Sequence, residues 1–104
     1  HGGRQLDTSP APISCLEPIR EAVSDKTELI VDGGIRRGTD ILKALALGAN
    51  AVSFARPYLY GLAAGGSEGA IKAVDIMKDA IMRDMILLGA KKISDIDNSF
   101  VKKR

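Results

Sequence analysis

Two short apolar runs, each followed by a loop carrying arginine and then by a helical pattern, constrain this chain more than any other feature. Glu28 to Asp32 (ELIVD) and Asn50 to Ala55 (NAVSFA) are nearly continuous in apolar character, which suits parallel strands buried on both faces. Gly33-Gly34-Ile35-Arg36-Arg37-Gly38 follows the first run and Arg56-Pro57 the second. Strand, loop and helix, repeated, predict an α/β fold with a parallel sheet and helical crossovers. Two strands cannot cover both faces of such a sheet, so the remaining strands are expected to come from elsewhere. The chain opens His1-Gly2-Gly3-Arg4 with no initiator Met. It is therefore expected to be a piece of a longer protein, with no internal domain boundary across residues 1–104.

The helices are read from caps and spacing. Residues 1–12 are turn-like, with Gly2, Gly3, Pro10 and Pro12 as breakers. Ser14 and Glu17 have capping-box spacing ahead of a stripe of Leu16, Ile19, Ala22 and Val23, and Pro18 is expected in or just past the first turn. A helix from Asp40 to Leu47 is expected next, capped by Gly38 or Thr39 and closed by Gly48. Pro57 suits the first position of a short helix, which Gly61, Gly65 and Gly66 break. Ser67 then caps a long helix with Ile71, Val74, Met77, Ile81, Met85 and Leu88 on its core face. Ser94 and Asp97 are expected to cap a last turn before the basic tail, Lys102 to Arg104.

Composition removes several classes of function. Fifteen Lys+Arg against 13 Asp+Glu leave a net charge of +2, which gives no reason to expect nucleic acid or an anionic membrane as partner. No apolar run approaches the ~20 residues of a membrane span. A single cysteine, Cys15, forms no internal disulfide, so a reducing, cytoplasmic setting is the default. No set of His and Cys has metal-ligand spacing, so no metal is expected. Tyr58 and Tyr60 are read as packing residues of the short helix.

The chemistry is expected at strand ends, where α/β folds bind ligands. Three polar clusters fall there: His1 with Arg4, then Asp32-Gly33-Gly34-Ile35-Arg36, then Arg56. Glycines admit an anion close to backbone N–H groups, helix starts add positive dipole, and arginines add fixed charge. A phosphate between the two loops is one reading; a plain tight turn with two solvated arginines is the other. His1 can take a proton near neutral pH and Arg4 can clamp a carboxylate at two points, or His1 is a terminal residue without a role. No Walker A loop is present, and Gly33-Gly34 does not continue as G-x-G-x-x-G.

The strings HGGRQLD, VDGGIRRGTDILKALALGANAV, ARPYLYGLAAGG and ILLGAKKISDID resemble the C-terminal part of FMN-dependent α-hydroxy-acid oxidases and dehydrogenases. That family includes glycolate oxidase, lactate oxidase, mandelate dehydrogenase and flavocytochrome b2. The resemblance implies part of a (β/α)8 TIM barrel, from the end of strand 6 through strands 7 and 8 with their helices. It implies His1 as the base that takes a proton from substrate and Arg4 as the carboxylate-binding arginine. It implies Asp32, Gly33, Gly34, Ile35 and Arg36 as one FMN-binding loop, with Arg36 on the phosphate, and Arg56 as a second phosphate arginine. One departure is Ala55-Arg56-Pro57, where the family usually has Gly-Arg-Pro. The implied reaction is oxidation of an L-2-hydroxy acid such as lactate or glycolate to the 2-oxo acid, with FMN taking two electrons and an unspecified final acceptor. The family's lysine near the flavin, its acidic partner to the histidine and its substrate-binding tyrosines are not in this chain. The segment alone is therefore expected to be inactive. A homo-oligomer, or association with the rest of the barrel, is expected. The alternatives are another FMN- or phosphate-binding barrel enzyme, or a non-catalytic half-barrel associating through an open sheet edge at Leu29, Val31, Val52 and Phe54.

Overall fold

In the computed structural model, which describes residues 2–102, the chain alternates helix and strand from Pro12 onward as its pattern predicts, whereas Gly2–Gln5, expected to be turn-like, form a short helix. A short helix α1 (Gly2–Gln5) leads to α2 (Pro12–Val23), then β1 (Ile30–Asp32), α3 (Gly38–Ala46), β2 (Ala51–Ser53) and α4 (Arg56–Leu88). Single 3-10 turns at Ser24–Lys26, Ile93–Asp95 and Asn98–Phe100 complete the order. β1 and β2 pair in parallel, with Ile30 opposite Ala51, Val31 opposite Val52 and Asp32 opposite Ser53, and α3 is the crossover between them.

The strands are shorter than the apolar runs, and only one of their faces is covered. Side chains alternate across a strand, so Leu29, Val31, Val52 and Phe54 share one side while Ile30, Asp32, Ala51 and Ser53 share the other. The first set meets the helices. Val31 is buried with Leu16, Ala44 and Ala49, and Leu29 and Val52 pack against that cluster. Phe54 packs against a second cluster of Ile35, Ile41 and Met77. The second set is open, with Ile30 68% exposed. Burial on both faces is thus corrected: α2 and α3 lie against the same side. The expected apolar edge is corrected too, because Leu29, Val31, Val52 and Phe54 are turned into the helix layer. What the sheet leaves free is its open face and the outer backbone edge of each strand.

Local rules explain most boundaries, including those the spacing misjudges. α2 begins two residues before Ser14, because Ala11 is extended (φ −63, ψ 138) and Pro12 takes the first helical position, where its fixed φ and missing N–H cost nothing. Ser14 and Pro18 are consequently inside the helix. α3 is capped by Asp40 and not by Gly38 or Thr39: its Oδ2 accepts from Arg36 N and Arg37 N, both at 2.9 Å. Gly38 has a different task. A Cβ there would lie 2.7 Å from Ile81 N and 2.8 Å from Ala80 C, so glycine is what lets α3 approach α4. Gly48 (φ +100) closes α3 as expected.

α4 breaks at Gly65 and Gly66, whose backbone is non-helical. Gly61 does not break it. Gly61 and Gly69 face each other so closely that a Cβ on either would strike the other's backbone, so the two arms fold together at that point. On the long arm Met77 is buried, and Ile81 and Met85 pack on Leu42, Ala46, Ala90 and Ile96. Ile71 and Leu88, expected in the core, are exposed, as are Ile86 and Leu87. Tyr60 is 69% exposed and so is not a packing residue here. Gly89 (φ +74) ends the helix.

Beyond α4, Asp95 takes the capping role expected of Ser94, accepting from Lys91 N at 3.0 Å and Lys92 N at 3.1 Å. Asp97 accepts from Ser99 N at 2.9 Å and Ser99 Oγ at 2.6 Å. The Ser99 hydroxyl, then its amide, hold the Asp97 carboxyl below the usual aspartate range. The last two residues of the basic tail lie outside the described residues. Among the described residues no helix is long and apolar enough to cross a membrane.

Candidate functional site

Parallel pairing decides where the arginine loops go. Because Asp32 sits opposite Ser53, the segments after them leave the sheet side by side, at the carboxyl ends of adjacent strands. The first loop reverses at Gly33 (φ +101) and Gly34 (φ +80), a left-handed pair that side chains rarely tolerate. Ile35 then turns its side chain into the core, 6% exposed, with Ile41 and Met77. It can offer a ligand only its backbone. Arg36 follows, exposed. The second loop runs through Ala55 to Arg56, the first residue of α4, both exposed. Ala55 has φ −115 and ψ −57, so the alanine in place of the family's usual glycine causes no backbone strain.

Neither Arg36 nor Arg56 has a side-chain partner among the described residues; the ion pairs there are Asp75–Lys78, Arg83–Asp84 and Lys92–Asp95, all on α4 or beyond it. Two guanidinium groups thus stand at neighbouring strand ends with no internal carboxylate to satisfy them. Asp32 is exposed at the end of β1. The start of α2 belongs to the same rim, since a Cβ on Gly33 would lie 3.3 Å from Pro12 Cγ. Arg4 is exposed on α1, and His1 lies outside the described residues. Among the described residues there is no cluster of His, Cys, Asp and Glu able to hold a metal. Two shallow grooves lie elsewhere: one of 350 Å³ along α4, lined by Tyr58, Ile71 and Val74, and one of 230 Å³ beside Glu17, Arg20 and Gly48.

One functional-looking arginine escaped the sequence reading, and it serves the opposite end of the sheet. Arg20 Nε donates to Gly48 O at 2.8 Å. Its Nη1 donates to Ser24 O and Thr27 O, at 2.5 and 3.0 Å, and its Nη2 to Asn50 Oδ1 at 2.6 Å. Asn50 Oδ1 also accepts from Leu29 N at 2.8 Å. This fork ties α2 to the entries of both strands. No local pattern links residues 28 and 30 positions apart, so nothing in the sequence pointed to it.

Adjacent parallel strands with glycine and arginine loops at their carboxyl ends are an α/β arrangement that offers positive charge along one rim. Comparison with known proteins makes the class specific: a family model described as FMN-dependent dehydrogenase matches residues 1–103, and the chain belongs to that family. It is 50% identical over 101 residues to the 2-hydroxyacid oxidase of Dictyostelium discoideum, covering 97% of this chain and 26% of that one. It is 49% identical over 102 residues to a peroxisomal (S)-2-hydroxyacid oxidase of Arabidopsis thaliana, covering 98% of this chain and 28% of the relative. Among solved structures, an oxidised active mutant of (S)-mandelate dehydrogenase superposes with a TM-score of 0.92 at 38% identity, over 100% of this chain and 29% of that one. A sulfite-bound flavocytochrome b2 variant gives 0.85 at 50% identity, over 93% and 26%. The chain therefore spans about a quarter of the length of these relatives.

The residues present fit a flavin mononucleotide. Its phosphate is a compact dianion, and the rim offers two guanidinium groups with no side-chain partner among the described residues, together with Gly34, where a Cβ would meet nothing within 4 Å.

Proposed function

We propose that this chain is the phosphate-binding end of an FMN-dependent 2-hydroxy-acid oxidase or dehydrogenase. In this reading β1 and β2 are the seventh and eighth strands of a (β/α)8 barrel, and residues 1–12 follow its sixth. The open face with Ile30, Asp32, Ala51 and Ser53 is barrel interior, and the free strand edges receive their neighbours from the rest of the barrel. The observation that carries the proposal is the parallel register of Asp32 with Ser53, which leads to two arginines at adjacent strand ends, neither with a side-chain partner among the described residues.

Each residue then has a task. Arg36 and Arg56 grip the phosphate as charged forks, with Gly33 and Gly34 letting the backbone come close and Asp32, Ile35 and Ala55 shaping the loops. Arg4 holds the substrate carboxylate at two points. His1 accepts a proton from the 2-hydroxy acid as it becomes the 2-oxo acid. FMN, when bound, supplies the two-electron acceptor for that oxidation. A small L-2-hydroxy acid of the lactate or glycolate kind is the proposed substrate. A reducing compartment fits the free thiol of Cys15, and either the cytoplasm or a peroxisome, the setting named for the Arabidopsis relative, provides one.

The test is a graft. This chain replaces the matching segment of the Dictyostelium 2-hydroxyacid oxidase, and the product is assayed for bound flavin and for oxidation of lactate and glycolate. A yellow, active graft whose flavin is lost in Arg36→Ala and Arg56→Ala is the expected result. A folded graft that takes up no FMN overturns the proposal. Turnover by the 104-residue chain on its own would overturn the assignment of further catalytic groups to the remainder.

A further inference from the structure

We propose that Asp40 is a positioning residue for Arg36, fixing the base of that arginine so that its tip meets the phosphate of FMN. The inference rests on the reading of Arg36 as a phosphate ligand. One oxygen of the Asp40 carboxylate accepts from two successive amides, Arg36 N and Arg37 N, each at 2.9 Å. One residue earlier, Ile35 is buried with Ile41 and Met77. The backbone of Arg36 is therefore held from both sides, by a core side chain before it and by a carboxylate at its own N–H. The guanidinium beyond has no partner among the described residues. A long side chain with a fixed base has fewer conformations to lose when its tip is captured.

The arrangement also lowers what this helix end offers an anion. The positive end of a helix dipole ordinarily attracts a phosphate. Here Asp40 takes the amides of Arg36 and Arg37, the two residues just ahead of α3, and places a negative charge in the first turn. The guanidinium groups of Arg36 and Arg56 then carry more of the attraction for an anion at this rim. A carboxylate near a phosphate opposes it electrostatically, so the gain from Asp40 comes through the loop it shapes and not through its charge.

The chain contains its own control. Lys91-Lys92-Ile93-Ser94-Asp95 builds the same turn as Arg36-Arg37-Gly38-Thr39-Asp40: Asp95 Oδ2 accepts from Lys91 N and Lys92 N. Lys92 has φ −144 and ψ 158, against −138 and 160 at Arg37. That second turn follows α4 and not a strand.

The experiment uses the flavin-free graft of this chain into the Dictyostelium 2-hydroxyacid oxidase and titrates it with FMN, with riboflavin and with inorganic phosphate, reading flavin fluorescence and the NMR signals of Arg36 and Arg56. Asp40→Ala is expected to weaken FMN about tenfold, the loss of roughly one charge-assisted hydrogen bond's worth of order, while riboflavin, which lacks the phosphate, is unchanged. Asp40→Asn keeps an oxygen acceptor and removes the charge, and is expected to bind FMN and phosphate as tightly as the unsubstituted graft or more tightly. Asp95→Ala is expected to leave FMN binding unchanged. Native-level or tighter FMN binding by Asp40→Ala reduces Asp40 to an opposing charge and overturns the inference; equal losses for FMN and riboflavin make it merely structural and also overturn it. Should Asp40→Ala fail to fold, Asp40→Asn decides, and a loss of FMN affinity in that variant refutes the positioning role. If FMN moves neither Arg36 nor Arg56 in the unsubstituted graft, the phosphate reading itself falls, an outcome distinct from any failure at Asp40.

Discussion

Replacing Arg20 tests whether a planar fork, and not simply a positive charge, fastens the amino end of the sheet. Its guanidinium makes four hydrogen bonds, to Gly48 O, Ser24 O, Thr27 O and Asn50 Oδ1. The bond to Gly48 is partly buried and the other three are exposed. At about 1.5 kcal/mol for the first and ~0.5 kcal/mol for each of the rest, Arg20→Ala costs about 3 kcal/mol. Arg20→Lys keeps the charge but places its donors at a single point, which cannot reach three carbonyls and an amide together; about 2 kcal/mol of the loss should persist. Asn50→Ala removes the acceptor shared by Arg20 Nη2 and Leu29 N, and the double variant should show a coupling of about 1 kcal/mol. Urea unfolding followed by far-ultraviolet circular dichroism measures all of these. An Arg20→Lys variant within about 0.5 kcal/mol of the native chain, a difference typical of neutral surface changes, would refute the argument from geometry.

Three further outcomes follow from other contacts. Gly38→Ala drives a methyl against the backbone of Ala80 and Ile81 and should cost about 2 kcal/mol as α3 lifts from α4, read as a lower urea midpoint. Gly66→Ala must hold φ +61 at the bend of α4 and should cost about 1 kcal/mol; no loss would mean the two arms do not need that bend. Asp97 has its pKa lowered by the Ser99 hydroxyl and amide, so its contribution is present above the unfolded aspartate pKa and is lost as pH falls through the lower folded value. Ser99→Ala should raise the Asp97 pKa, measured by NMR titration of its carboxyl carbon, and an unchanged value would show that the hydroxyl does not hold it.

Elements and their order were legible because each depends on nearby residues. The apolar run ahead of Gly33-Gly34, the glycine closing α3 at Gly48 and the break at Gly65-Gly66 are local signals with local consequences. The strands' open face was not legible. A run such as Leu29-Ile30-Val31 reads as buried on both sides, and only the packing of α2 and α3 on one side reveals that Ile30 is left out. Gly61 was misjudged for a similar reason. Its role is a close approach to Gly69 in the other arm of α4, and a glycine needed for contact looks the same in a sequence as a glycine needed for a turn. The candidate site fell between these cases: the loop residues were visible, while their adjacency comes from a strand register that no single segment specifies.

The repeated turn shows how far local structure falls short of function. Arg36 to Asp40 and Lys91 to Asp95 share two basic residues, an intervening residue, Thr or Ser, and an aspartate that accepts from two amides, and their backbones agree closely. A motif reading would give both the same role. They differ in what stands before them. The first is preceded by Ile35, anchored in the core, and by a glycine pair at the carboxyl end of a parallel strand whose neighbour delivers Arg56. The second is preceded by Gly89 and Ala90 at the end of a helix, and Lys92 spends its charge on Asp95 at 4.0 Å. The turn is a way of starting a helix. In the proposed function it becomes part of a binding rim only where the sheet brings a second cation to the neighbouring strand end, so that topology and not the motif carries the proposal.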